Sequence, residues 1–132
     1  MNVSTQTLRT VLLIDSVAGL AMATSHGLAA DPLSVWTGIP SEWLVAAAVV
    51  VFAAASVAGL LGLRSVPPGG MVRMLAAGNF AWVVASLWLA FVAPIEITAI
   101  GVIWVIAQAV FVFVLAEMEW MGASNSARLS MA

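Results

Sequence analysis

The sequence predicts an all-α membrane protein, an antiparallel four-helix transmembrane bundle with both termini in the cytoplasm (N-in/C-in). Of its 132 residues 64% are apolar, and only four are basic and six acidic. The mean hydropathy is +1.14. A soluble surface needs far more charge than this, so lipid must be the main solvent. Four apolar runs reach the length of about 20 residues that crosses the hydrocarbon core of a bilayer.

The orientation follows from the arginines, which are the only basic residues besides one histidine. Arg9 precedes the first apolar run, Arg64 and Arg73 flank the gap between the second and third, and Arg128 follows the fourth. The other two gaps contain no Lys or Arg. Because basic residues are retained on the cytoplasmic side during insertion, the termini and the middle loop are predicted to be cytoplasmic.

A single transmembrane domain is expected over residues 1–122, followed by a short cytoplasmic tail over residues 123–132. The predicted helices cover about 11–30, 43–63, 74–93 and 97–116. Their length and their Ala and Leu content favour helices over strands. The first run could instead be a cleaved signal peptide. We expect a retained helix, because Asp15 would interrupt the apolar region and Leu28 is poorly suited to a cleavage site after Ala30.

The connections are short and rich in turn-forming residues. Before the second helix, Asp31 is an expected N-cap and Pro32 suits a first helical turn, so a short interfacial helix anchored by Trp36 is predicted. The run Pro-Pro-Gly-Gly at 67–70 cannot continue a helix. Only residues 94–96 join the third and fourth helices, which must therefore be adjacent and antiparallel.

Two helices carry stripes of small residues that allow close backbone approach, the main route to helix association in lipid. We expect these stripes to pack within the bundle, or in a homo-oligomer or a larger membrane complex. Their members are Gly19, Ala23 and Gly27 on the first helix, and Ala55, Gly59 and Gly62 on the second.

Polar residues are predicted to converge in the cytoplasmic half of the bundle. Asp15 lies four residues before Gly19, on the same face. Asn79 enters from the cytoplasmic side to a similar depth, and Gln108 lies near the middle of the fourth helix. A buried carboxylate is costly in a bilayer unless it is paired, protonated or hydrated. The cluster is either a structural device that fixes helix register, or a site at which Asp15 binds a proton or cation.

The fourth helix also carries two glutamates near its cytoplasmic end. Glu119 is eleven residues from Gln108, close to three full turns, so both lie on one stripe. Glu117 lies nine residues from Gln108 and projects to the opposite side. Which glutamate faces the bundle interior stays open, because the family resemblance described below draws attention to Glu117.

A few further residues are candidates to face a ligand. His26, the one histidine of the sequence, could bind a chlorophyll or a metal ion. A histidine at the membrane interface that is solvated by water is the commoner situation. The lack of cysteine and lysine excludes thiol chemistry and a retinal Schiff base. We therefore predict no catalytic residues, no metal site and no cofactor. The candidate ligand-facing residues are His26, Trp82, Ser86 and Trp104.

Three short segments resemble a group of uncharacterised small bacterial four-helix integral membrane proteins. They are Ala-Gly-Asn-Phe-Ala-Trp-Val-Val-Ala-Ser-Leu at 77–87, Gln-Ala at 108–109 and Leu-Ala-Glu at 115–117, together with Asp15 in the first helix. The resemblance implies a multi-pass protein of the bacterial inner membrane and assigns no activity.

Three functions are compatible with these features. The first is a structural or accessory subunit, or a homo-oligomer, without catalytic activity. The second is a small proton- or cation-coupled transporter that uses Asp15, and the third is a pigment- or lipid-binding membrane protein. The lipid bilayer is the expected partner. Nucleic acid is not expected, since the net charge is −2 and no basic cluster exists.

Overall fold

The computed structural model describes residues 2–131, and all the secondary-structure elements in these residues are helices. Four of its helices are long and apolar enough to cross a membrane, which supports the prediction of a multi-pass membrane protein. A fifth, short helix follows the first. The helices are α1 (Thr5–Leu28), α2 (Ala30–Thr37), α3 (Ser41–Gly62), α4 (Gly69–Phe91) and α5 (Ala99–Ser130).

Helix α2 is the short segment predicted between the first two spanning helices. It begins one residue before Asp31, so this aspartate lies in the first turn rather than at the N-cap. The helix ends at Gly38, whose φ of 75° is in the left-handed region that terminates helices and favours glycine. The backbone of Gly38 also approaches the carbonyl of Glu96 so closely that a Cβ would collide with it. Trp36 is largely exposed, as expected for a residue at a membrane interface.

One end of the bundle gathers the termini and the α3–α4 loop. Arg9 Nε donates to the carbonyl of Gly62, 3.2 Å away, and Asn125 Nδ2 donates to the carbonyl of Val3 at 2.7 Å. We call this the arginine end. At the opposite end, which we call the α2 end, the backbone N–H of Thr98 donates to the carbonyl of Thr37 at 2.9 Å.

The long helices form two hairpins. Helix α1 packs extensively against α3, and α4 packs extensively against α5. The hairpins meet mainly through α1 and α5, whereas α3 and α4 have few contacts. Apolar clusters close the two ends. One cluster includes Leu8, Leu12 and Leu61 near the arginine end. The other includes Ile39 and Leu44 near the α2 end.

Helix α5 is longer than the sequence predicted. Its 32 residues extend about 48 Å, well beyond a hydrocarbon core of about 30 Å. Residues 123–130 are helical, where we expected a tail; Ala132 lies outside the described residues. The extension is packed rather than free, because Ala123 and Ser126 are buried and the backbone of Gly69 lies close to Ala123.

Candidate functional site

The small-residue stripes lie where α1 crosses α3. A Cβ added at Gly19 would lie 2.8 Å from the Cβ of Ala55, and one added at Gly59 would lie 2.7 Å from the Oγ of Ser16. Ala23 is buried on the same face. Gly62 faces Leu13 and the backbone of Arg9 at the end of the crossing. Gly27 is looser, since its added Cβ would meet Ala48 at an ordinary 3.8 Å.

This close crossing holds Asp15 against α4 and α5. Asn79 of α4 donates through Nδ2 to Asp15 Oδ2, 3.2 Å away, and to Glu119 Oε2, 3.0 Å away. The exposed fractions are 9% for Asp15, 8% for Asn79 and 0% for Glu119. One amide group thus bridges two buried carboxyl groups from different helices. We call these three residues the carboxyl cluster.

No arginine joins the carboxyl cluster within the described chain. The Asn79 amide nitrogen lies 3.2 Å from an oxygen of Asp15 and 3.0 Å from an oxygen of Glu119, so the two carboxyl groups are close neighbours. Glu119 Oε1 is buried without a hydrogen-bond partner among the described residues. A carboxylate only accepts hydrogen bonds, so two carboxyl groups can share one only when a proton lies between them. Two neighbouring buried carboxyl groups could hold a proton in this way.

Gln108 does not join the carboxyl cluster, although its position on the fourth helix predicted it beside Asp15 and Asn79. It accepts from Trp82 Nε1 at 2.8 Å and donates through Nε2 to Ser86 Oγ at 2.9 Å. Gln108 and Glu119 are eleven residues apart on α5, which separates them by about 16 Å along the axis. One of them at most can lie at the depth of Asp15, and that one is Glu119.

The eleven-residue spacing is the signal that indicates Glu119 as an interior residue. It placed Glu119 and Gln108 on one stripe facing the interior, and the structure does bury Glu119 while Glu117 is exposed. The spacing does not give the depth of Glu119 relative to Asp15, which depends on how α5 is placed against α1. The predicted length of the fourth helix, which ended at residue 116, left both glutamates outside the span.

His26 is buried, with an exposed fraction of 3%, and is not a water-solvated interfacial residue. Its Nδ1 lies 2.8 Å from the carbonyl of Met22, one turn earlier on α1. Its ring stacks on Trp104 of α5, with 6.2 Å between the ring centroids. The α5 tryptophan covers the imidazole, which is why a residue near the helix end is shielded from solvent.

Two neighbouring cavities lie between the helices. The inner cavity has a volume of about 410 Å³; its walls come from all four long helices and include Asp15, Asn79 and Gln108. The outer cavity, of about 210 Å³, lies toward the α2 end and includes His26 and Ser86. The walls common to both are Met22, Trp82, Trp104 and Gln108. The hydrogen bond between Trp82 and Gln108 thus lies in the partition between the cavities.

The described residues contain no group of three or more His, Asp or Glu side chains that could hold a metal ion. Comparison with protein-family models, with curated proteins and with solved structures finds no match. The fold and the site define a class, a multi-pass helical membrane protein with two buried carboxyl groups beside an internal cavity. What such a protein does must be argued from this site.

Proposed function

We propose that the protein is a small, non-enzymatic, proton-coupled transporter of the bacterial inner membrane. The observation that carries this proposal is the single Asn79 amide that bridges Asp15 and Glu119 at the wall of the inner cavity. Ionisable residues inside a membrane are rare, and they commonly mark ion or proton pathways. A binding site for a proton next to a cavity for a solute is the minimum equipment for coupled transport.

The orientation of Asn79 favours a proton over a metal cation. Its amide nitrogen, a donor, points at both carboxyl groups. A metal cation would instead be coordinated by oxygen atoms and would be repelled by the amide N–H groups. A proton shared by Asp15 and Glu119 is compatible with the amide in this orientation, since each acid still has an oxygen that accepts from it.

Coupling would follow from the unequal positions of the two acids. Asp15 lines the inner cavity, whereas Glu119 lies behind it and is fully buried. A positively charged or hydrogen-bond-donating solute that reaches Asp15 competes with the shared proton for the same oxygen atoms. Solute binding and proton binding would then exclude one another, which is the linkage that an exchanger needs.

The proposal includes an orientation. The four long helices would form an antiparallel bundle with the arginine end in the cytoplasm, because Arg9, Arg64, Arg73 and Arg128 all belong to segments that meet at that end. The carboxyl cluster would then lie in the cytoplasmic half of the membrane. The outer cavity would lie toward the periplasm.

The carboxyl cluster favours transport over a structural or accessory subunit. A cluster that only fixed helix register would be satisfied by one acid and one amide. Here a second acid, Glu119, is added at full burial, and one of its oxygen atoms has no hydrogen-bond partner among the described residues. Such an arrangement costs folding free energy that a purely structural cluster would avoid.

Infrared difference spectroscopy of the purified protein during a pH titration tests the proton site. We expect a C=O band of a protonated carboxylic acid that titrates in the wild type and is lost or shifted in both D15N and E119Q. The matched control is E117Q, which removes an exposed glutamate two residues away and should leave the band unchanged. If D15N and E119Q assemble normally and the band persists, the carboxyl cluster is structural and the transporter proposal fails.

A further inference from the structure

The hydrogen-bonding groups on the wall of the inner cavity are unevenly used. Both N–H groups of Asn79 are occupied by the two acids, and Gln108 Nε2 donates to Ser86 Oγ and to the carbonyl of Val105. Trp82 Nε1 donates to Gln108, and Ser25 Oγ donates to the carbonyl of Ala21. These side-chain donors around the inner cavity are therefore already engaged in hydrogen bonds within the protein.

Acceptors remain in that same region. Asp15 receives one hydrogen bond from Asn79 on Oδ2, and Glu119 Oε1 behind it has none among the described residues. A solute that fits here must bring its own donor, and a positively charged donor interacts best with a pair of acids. Along the rest of the wall, the indole N–H of Trp104 is the donor for which no hydrogen bond is seen in the described chain.

The remaining surface of the inner cavity selects an apolar body. Trp82, Trp104 and Phe111 contribute aromatic rings, and most of the other wall residues are Ala, Val, Leu, Gly or Met. A volume of about 410 Å³ falls in the range of small-molecule pockets, which are mostly apolar with a few polar groups that fix orientation. Aromatic faces also attract organic cations.

The inner cavity reaches the lipid-facing surface of the bundle. Ala21 on α1, Val50 on α3, Gly78 on α4 and Phe111 on α5 line the cavity and are nevertheless exposed. Residues exposed at this depth of a membrane-spanning helix face lipid. The hairpins meet closely at the arginine end, where Leu8 packs on Gly122, so the opening between them lies further toward the α2 end.

We propose that the inner cavity binds a membrane-soluble organic amine, which enters from the bilayer between the two hairpins and donates its N–H to Asp15. This inference rests on the proposed proton-coupled function, whose solute it identifies by chemical class. The amine binds as the ammonium ion in which it already exists in water at neutral pH. This cation replaces the proton shared by Asp15 and Glu119, and the displaced proton passes to the solvent. The aromatic part of the amine lies against Trp82 and Trp104.

Two probes of nearly equal shape test this inference. Dibenzylamine carries a charged donor between two aromatic rings, whereas dibenzyl ether has only an acceptor at that position. Binding is measured by titration calorimetry with the protein in lipid nanodiscs, and empty nanodiscs supply the baseline for partition into lipid. We expect the amine to bind roughly ten- to a hundredfold more tightly than the ether, the range of a charge-assisted hydrogen bond. Equal affinities would overturn the inference.

Substitutions at two glycines of α4 test whether the amine binds in the inner cavity. A Cβ added at Gly78 or at Gly70 meets no atom within 4 Å, so both accept a larger side chain without a clash at Cβ. Gly78 lines the inner cavity, and Gly70 lies in the first turn of α4 away from it. We expect G78F to weaken dibenzylamine binding at least about tenfold, because the added ring would occupy part of the inner cavity. We expect G70F to leave dibenzylamine binding unchanged. Equal effects of the two variants would exclude this cavity.

The D15N variant and a measurement of released protons separate the two proposals. In weakly buffered solution, dibenzylamine should release protons from the wild type and not from D15N. Amine binding without proton release would retain the amine site and refute proton coupling. A titrating carboxyl band without amine binding would retain the proton site and refute the amine inference. Circular dichroism of each variant establishes that its helices are intact.

Discussion

At the scale of single residues, Asn79 is the side chain on which the carboxyl cluster depends. Asp15 and Glu119 come from helices that are far apart in the sequence, and the Asn79 amide is the donor that contacts both. Leaving a buried acceptor without a donor costs more free energy than the hydrogen bond itself contributes, because the acceptor is also cut off from water. The loss of Asn79 should therefore be more damaging than a loss of packing alone.

We expect N79L to lower the free energy of unfolding by about 1–3 kcal/mol, since it leaves two buried carboxyl groups without their amide donor. The measurement is denaturation by SDS, followed by circular dichroism in mixed micelles. The control is the triple variant D15L/N79L/E119M, which replaces the whole cluster by apolar residues of similar volume. It should regain most of the lost stability, because removing all members of a buried polar network is far less costly than removing one. A triple variant less stable than N79L would contradict this account.

At the scale of helices, the contact between α1 and α3 depends on particular small residues. Gly19 of α1 approaches Ala55 closely, whereas Gly27 on the same face has room for a methyl group. These two positions have the same residue type, the same helix and the same neighbouring helix. Comparing the same Gly→Ala substitution at both positions therefore separates the effect of close helix approach from the effect of helix propensity, which favours alanine over glycine.

G19A is expected to lower the free energy of unfolding by about 1–3 kcal/mol, because its methyl group would lie 2.8 Å from the Cβ of Ala55 and would push the helices apart. G27A should be neutral or slightly stabilising. The same SDS denaturation measures both variants. The packing argument fails if the two substitutions have equal effects.

Much of the helical architecture could be predicted from the sequence, because it follows from the length of apolar runs. All four spanning helices were expected, and so was a short helix containing Pro32 and Trp36. The helix ends were less predictable, particularly that of α5. Residues 123–130 are too polar to be recognised as part of a membrane span, and their helix is fixed by contacts with Gly69 and Val3 from distant parts of the chain.

The site was predictable to the extent that helical periodicity determines it. Periodicity placed Asp15 on an interior face and put Glu119 on the same stripe as Gln108. It could not choose between Gln108 and Glu119 as the partner of Asn79, because that choice depends on how far α5 is shifted along its axis relative to α1. The close approach of Gly122 to Leu8 sets this shift, and it is a tertiary contact without a local signal.

At the scale of the whole molecule, the two hairpins create the asymmetry that the proposed transport cycle needs. They are firmly joined at the arginine end through α1 and α5, and α3 and α4 contact each other little. The inner cavity lies between these hairpins and has the Trp82–Gln108 hydrogen bond on the side of the outer cavity. A change in the relative tilt of the hairpins would open the cavities toward opposite ends of the bundle, an arrangement that suits alternating access.

The orientation of this asymmetric molecule is tested by cysteine labelling, for which the absence of native cysteines is ideal. V35C places a thiol on the exposed surface of α2, and S65C places one on the exposed α3–α4 loop at the arginine end. In intact spheroplasts, a membrane-impermeant maleimide should modify V35C and spare S65C until the membrane is permeabilised, because basic loops are retained in the cytoplasm. The reverse pattern would invert the proposed topology and place the carboxyl cluster in the periplasmic half of the membrane. Labelling of both variants in intact spheroplasts would indicate a mixture of orientations, which a one-sided distribution of four arginines should prevent.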